Sequence, residues 1–290
     1  MQNATGINKM ENYTEDTVMP ALLMNIEAEK TERQINFKQD NISYWTKRAP
    51  GYSGVNQKEL QTSQRLVWAD ALDSRIQKHF AQKKREDIRV LDIGTGPGFF
   101  AIILAEMGYS VTAVDYTAAM LEQAVQNAGV LAAKINFCRM NAEELTFAGG
   151  SFDVVVSRNV TWNLHAPERA YAHWARVLKP GGLLLNFDAN WYHYLYNAEA
   201  EQKHLADRKN VRASGAFDDT AGTDVDAMES IARRAPLSLK MRPRWDLEIL
   251  SRLGMEAAAD TEIWREVWTQ DELINNASTP MFLVSAVKKR

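Results

Sequence analysis

The sequence predicts an α/β fold: a doubly wound, mostly parallel seven-stranded sheet with helices on both faces and a helical or loop lid inserted late in the chain. Three observations predict it. Short apolar runs alternate with segments of helical period from Arg89 onward, the rhythm of βαβ units. A glycine-rich turn, Gly94-Thr95-Gly96-Pro97-Gly98, follows the first run directly. The rhythm breaks once, over residues 189–244, and then resumes.

Taken in order, residues 1–35 are polar and read as a mobile arm or a lone helix. Residues 36–56 bring Phe37, Tyr44, Trp45, Arg48 and Tyr52 around Pro50-Gly51 and Gly54. A helical pattern spans about 57–80, with Leu60, Leu66, Val67, Ala71, Leu72 and Ile76 near one face. Arg89-Val90-Leu91-Asp92-Ile93 is a short apolar run with the look of a buried parallel strand. A helix from Phe99 to Met107 ends at Gly108, and a second strand, Val111 to Val114, leads to Asp115. Thr117 can cap a helix that Gly129 ends. Strands follow at 135–138 and 152–156, then a helix over 166–178. Lys179-Pro180-Gly181-Gly182 reads as a tight turn before a fifth strand at 183–187. After the break come a helix at 245–253 and two further strands, at 257–268 and 281–287.

Composition narrows the function. Hydrophobic residues at 46% across 290 positions suffice for a large core, and the net charge of −3 argues against nucleic acid as the partner. The short basic clusters at 83–85 and 288–290 read as solvated surface. One cysteine, Cys138, rules out an internal disulfide and any cysteine-based zinc cluster. No run reaches the ~18 apolar residues of a membrane span, and the polar start has no secretory pattern. A cytoplasmic protein without membrane partners or a metal site is expected.

The chemistry concentrates at three strand ends. Glycines at a strand-to-helix turn let the backbone pass close to a ligand, and the helix behind them offers free N–H groups. The spacing G-x-G-x-G departs from the dinucleotide pattern G-x-G-x-x-G, because Phe99 takes the last position. Asp92, two residues before Gly94, places an acceptor just under the loop, suited to an ammonium group. Asp115 follows Gly94 by 21 residues and ends the second strand, where a carboxylate can accept both hydroxyl protons of a ribose. Tyr116 stands beside it, and Asn141-Ala142-Glu143 past the third strand lies where an adenine edge would reach.

Together these residues resemble the class I S-adenosylmethionine-dependent methyltransferases. Gly94, Thr95, Gly96 and Gly98 look like the family's first motif, Asp115 like its ribose-binding acid, and Asn141, Ala142 and Glu143 like its adenine-side loop. Ser151 to Val156 and Arg176 to Gly182 resemble its fourth strand and the turn into the fifth. The resemblance implies S-adenosyl-L-methionine as cofactor and in-line methyl transfer to a small-molecule acceptor. It also implies an antiparallel pair for the last two strands, with the final one inserted in the sheet. Tyr44 and Arg48 are expected at the methionine end of the cofactor, and Asn159 beside it. The segment Ser157 to Asn163 replaces the Pro-Pro and Pro-Cys motifs of DNA methylation, which favours a small acceptor. His165 and His193 are the candidate general bases; His79, His173 and His204 look structural. Trp191, Tyr192, Tyr194 and Tyr196 are expected to line the acceptor pocket. The resulting organisation is an arm (1–35), a methyltransferase core with its amino-terminal cap (36–188), a substrate lid (189–244) and a completing segment (245–290). A nicotinamide-dependent oxidoreductase and a non-catalytic binder of the same cofactor are the alternatives.

Overall fold

The computed structural model describes the backbone of residues 15–289 and the side chains of residues 36–289. The expected mobile arm lies in part outside them. Its remainder is the first half of a long helix, α1 (Glu15–Gln61), 47 residues without a break. A proline inside a helix ordinarily costs about 3 kcal/mol, yet α1 runs through Pro50-Gly51. Here Pro50 sits on the exposed face of α1, while Ala49, Ser53 and Asn56 are buried. The Ser53 hydroxyl and the Gln57 amide both meet Asn127 of the facing helix. Tertiary contact outweighs local propensity.

The expected single helix over 57–80 is two. The end of α1 and α2 (Gln64–His79) meet at Thr62-Ser63. Leu66, expected on the inward stripe, is exposed, and Trp68 is buried in its place.

The core alternates as expected: β1 (Arg89–Ile93), α3 (Phe99–Glu106), β2 (Ser110–Asp115), α4 (Ala118–Ala128), β3 (Ile135–Arg139), β4 (Phe152–Arg158), α5 (Pro167–Val177) and β5 (Leu178–Asp188). The Lys179–Gly182 turn is absorbed into β5 as an irregularity in its pairing with β4, where Phe152 meets Leu178 and Val154 meets Leu183. Residues 189–244 carry α6 (Ala198–Ser214), α7 (Val225–Ala232) and short 3-10 turns. Then come α8 (Arg244–Arg252), β6 (Met255–Asp260), α9 (Trp264–Val267), α10 (Gln270–Asn276) and β7 (Phe282–Lys288). The strand expected over 257–268 is therefore short, and its second half is helical.

Seven strands form one sheet in the order β3-β2-β1-β4-β5-β7-β6. All neighbouring pairs up to β5 are parallel, and β7 runs antiparallel between β5 and β6. Because both faces are covered, successive residues of one strand enter opposite cores. Val90 joins the layer under α2 and α3, and Leu91 joins the layer under α5 and α8. This is why β1 reads as an apolar run. A third apolar cluster joins Phe37 of α1, Trp162 after β4, and Met228 and Ile231 of α7. Residues 189–244 thus pack on α1 and on the loop after β4. Among the described residues, no helix is long and apolar enough to cross a membrane.

Candidate functional site

The carboxyl ends of β1 to β4 share one rim, and a cavity lies across it. Its floor begins at Gly94 (φ 64°) and Gly96 (φ 52°), both in the left-handed region. A Cβ added to Gly94 would stand 2.4 Å from Val160 Cγ2, so both backbone and space require glycine there. Gly98 (φ 94°) opens α3, whose first turn is entirely apolar and buried.

Asp115 closes the floor at the end of β2. Its Oδ2 accepts from the Gly96 amide at 3.0 Å and its Oδ1 from the Thr117 amide at 2.8 Å. Burial pushes its pKa up, and these two amides oppose the rise. The carboxylate is thereby locked between the glycine loop and the start of α4 while still lining the cavity.

At the far end stand Asn141, Ala142 and Glu143. Asn141 Oδ1 accepts from the Glu143 amide, making the turn. Glu143 Oε1 accepts from the amides of His165 (2.7 Å) and Ala166 (2.9 Å), which folds the loop after β4 over this end. Two buried polar atoms here have no hydrogen-bond partner, Glu143 Oε2 and His165 Nε2. Burial lowers the His165 pKa below its usual value, so the ring is neutral at pH 7.

The roof comes from α1: Phe37, Lys38, Asn41, Ile42, Trp45 and Tyr52 line the cavity. Asn41 and Asn163 exchange amide hydrogen bonds in both directions at 3.1 Å, and Asn41 also donates to the Asn163 carbonyl. Phe37 lies 5.5 Å from the His165 ring. Asn159, in the left-handed region at φ 57°, lines the cavity and holds Trp191 through Trp191 Nε1 to its Oδ1 at 3.1 Å.

Several expected site residues stand elsewhere. Tyr44 and Arg48 line a separate cleft between α1 and α7, with Asp224 and Arg234. Trp45 and Tyr52, one position on and one helical turn beyond Arg48, face the cavity instead. Asp92 does not reach the cavity either. It lies beneath the loop and accepts from the Thr95 hydroxyl at 2.6 Å, so both residues brace the loop from below. His193 sits outside the cavity with Nδ1 3.1 Å from the Ser238 carbonyl oxygen. The aromatic set of residues 191–196 is mostly engaged within its own segment. Tyr194 stacks on His204 and donates to Glu229, and Tyr196 donates to the Arg233 carbonyl. A clustering of aromatics in sequence carries no information about which faces of them stay free.

Burial raises the Asp92 pKa from 3.8 to about 7, against the opposing pull of the Thr95 hydroxyl. A carboxyl raised on folding favours the fold below its ordinary pKa, and that contribution is lost as pH rises through the raised value. Asp92→Asn is therefore expected to unfold at a higher temperature than the parent at pH 8, by up to about 2–4 kcal/mol of stability. The gap should close between about pH 7 and pH 4. Thermal unfolding across that range checks it; a gap independent of pH would be inconsistent with a raised Asp92 pKa.

Sequence reasoning missed Arg158, the last residue of β4. It lines the cavity beside Gly94, since β4 and β1 pair Ile93 with Ser157. Its guanidinium donates to both oxygens of Glu59 at 2.8 and 3.1 Å and lies 4.4 Å from the Phe99 ring centre. The usable signal was its place at a fourth strand end on the same rim. Glu59, 99 positions earlier, gave none.

A glycine turn after β1 and an acid after β2 of a doubly wound sheet is the arrangement in which such folds hold nucleoside cofactors. Residues 91–186 match the methyltransferase domain family. The ubiquinone biosynthesis O-methyltransferase of Caulobacter sp. (strain K31) is 35% identical over 101 residues, 34% of this chain and 40% of the relative. An uncharacterized methyltransferase of Mycobacterium sp. (strain JLS) is 31% identical over 172 residues, 54% of this chain and 66% of the relative. The chain thus spans about two-fifths to two-thirds of the length of these curated relatives. In fold it is similar to phospholethanolamine N-methyltransferase 2 of Haemonchus contortus, solved with phosphomonomethylethanolamine and S-adenosylhomocysteine. That likeness has a TM-score of 0.51 and 18% identity, over 80% of this chain and 60% of that one. The family match covers about a third of the chain and places a methyltransferase domain at residues 91–186.

Proposed function

We propose that the protein transfers a methyl group from S-adenosylmethionine to a small-molecule acceptor. The observation that carries this reading is Asp115, a carboxylate fixed by two backbone amides at the wall of a cavity that the glycine loop floors. Two buried atoms without a hydrogen bond fit the same ligand, since a nucleobase edge supplies a donor and an acceptor: His165 Nε2, and Glu143 Oε2, which Arg169 Nη2 approaches only to 3.6 Å. Asp115 would hold the ribose hydroxyls, and Asn141, Ala142, Glu143 and His165 the base. Gly94, Gly96 and Asn159 would border the amino-acid end. Residues 36–188 would form the cofactor-binding core, 189–244 the acceptor-side lid and 245–290 the part that completes the sheet. The names of the ubiquinone relatives support a small acceptor.

When bound, the cofactor supplies a methyl group made electrophilic by a positively charged sulfur. The chain's own task is positioning. Phe37, Ile42, Trp45 and Tyr52 of the roof exclude water, and the Asn41–Asn163 amide pair holds that roof to the loop after β4. Holding two reactants in line is worth up to ~7–11 kcal/mol of barrier. His165 acts at the nucleobase end, through its bond to the Glu143 loop, rather than as the base for the acceptor.

Calorimetric titration with S-adenosylhomocysteine should show a single site, while NAD(H) should give no heat and no thermal shift. Absence of S-adenosylhomocysteine binding would remove the reading. Formation of S-adenosylhomocysteine from S-adenosylmethionine with a panel of small phenols, amines and thiols separates an enzyme from a cofactor binder.

A further inference from the structure

We propose that Arg158 receives the carboxylate of the cofactor's amino-acid end, and that Glu59 is the residue that positions it. This rests on the cofactor reading above and names how its polar tail is recognised.

A ligand with its ribose at Asp115 and its base at Asn141–Glu143 must send its 5′ substituent toward Gly94 and Gly96. The charged side chains lining the cavity are Lys38, Asp115, Glu143 and Arg158. Lys38 follows Phe37, whose ring lies 5.5 Å from His165, which puts it at the base end. Arg158 is the cation on the glycine-loop side, level with Gly94 in the pairing of β4 with β1. An anionic group at the tip of the 5′ substituent therefore meets Arg158 and no other cation among the lining residues.

The guanidinium is built to take a second anion. Fork-to-fork pairing with Glu59 occupies two of its five N–H donors. Its flat face rests against Phe99, and the rings of Trp68 and Phe100 lie 5.2 and 5.5 Å away. Those contacts hold its plane, and three of its donors are left over from the pairing with Glu59 in a side chain that lines the cavity. Glu59 is itself held by the Asn56 amide at 2.8 Å, on the same helix that roofs the cavity. The Tyr52 phenol stands beside Arg158, whose charge opposes the burial that raises the phenol's pKa. A purely structural ion pair has no need to line the cavity. A carboxylate receptor does.

The test compares two ligands that differ only in this group, S-adenosylhomocysteine and its decarboxylated analogue, S-adenosyl-3-thiopropylamine, by calorimetry. The parent protein should bind S-adenosylhomocysteine about 10–100 times more tightly than the analogue, the range for one charge-assisted hydrogen-bonded pair. Arg158→Met combined with Glu59→Gln, which removes both partners of the ion pair together, should erase that preference. Affinity for S-adenosylhomocysteine falls, and affinity for the analogue stays within about threefold. Retention of the preference in the double variant, or parallel loss of both ligands, overturns the assignment. If the parent binds neither ligand, the cofactor reading itself has failed. Should the double variant not fold, a crystal structure of the parent with S-adenosylhomocysteine decides: a carboxylate within hydrogen-bond distance of Arg158 supports the proposal, and any other location of the carboxylate refutes it.

Discussion

Arg242→Met should lower the unfolding free energy by about 3–5 kcal/mol, the usual cost of stripping one partner from a buried ion network. For a chain of this size that is a fall in Tm of roughly 6–15 °C. The Arg242, Asp188 and Asp246 side chains are all inaccessible to solvent. Arg242 Nη1 donates to Asp188 Oδ2 at 2.7 Å, and its Nε and Nη2 donate to Asp246. Tyr171 donates to Asp246, and Asn186 donates to the Tyr171 oxygen and to Thr161 Oγ1. Methionine matches the stem of arginine but leaves two carboxylates in a dry interior. Burial already raises the Asp188 pKa, and Arg242 is the main force opposing that rise. Without the guanidinium Asp188 gains a proton more readily, so the deficit of the variant should be smaller at pH 5 than at pH 7.5. Thermal unfolding at both values measures it. A loss below about 1 kcal/mol would show that removing Arg242 strands no buried charge, and a loss that does not vary with pH would show that protonation does not relieve it.

Asp115→Ala is expected to weaken binding of S-adenosylhomocysteine by about 10–100-fold, because a bidentate contact between a charged acceptor and two hydroxyls disappears. The substitution also frees the Gly96 amide, which now donates to Asp115 at 3.0 Å. Part of the loss is then a loosened loop. Asp115→Asn helps to separate the two effects: its oxygen still accepts from the Gly96 amide, while its NH2 replaces the oxygen that accepts from Thr117 and offers the ribose a donor. Comparable weakening in both variants would assign the loss to ribose contact, and recovery in Asn would assign it to the loop. Unchanged affinity in Asp115→Ala would falsify the ribose assignment. Circular dichroism of each variant confirms that the measurements are made on folded protein.

Much of the sheet was legible in the sequence, for a physical reason. A strand buried on both faces is apolar at most positions, and a turn that needs positive φ favours glycine; both marks are local. The ends of β1, β2 and β3 followed, and with them Gly94, Gly96, Asp115 and Asn141 to Glu143 on one cavity wall. What could not be read depends on contacts made at long range. The run of α1 through Pro50 is stabilised by a face packed on α4, so local propensity pointed the wrong way. Tyr44 and Trp45 are adjacent in sequence and enter different cavities, which only the phase of the helix decides. Arg158 with Glu59, and Asn41 with Asn163, are pairs separated by 99 and 122 positions. Asp92 was correctly marked by its motif, but its part is to hold Thr95.

The antiparallel insertion of β7 also bears on how the chain reaches this fold. Leu183 of β5 pairs with Val287, roughly a hundred positions downstream, and β6 joins the sheet through β7. The long edge of β5 stays without a neighbour, and β6 without an anchor, until residues 282–288 thread between them. Ladders of such wide separation form slowly, since closing the loop precedes any gain from the contact. During that interval the half-built sheet exposes an apolar border able to recruit another strand.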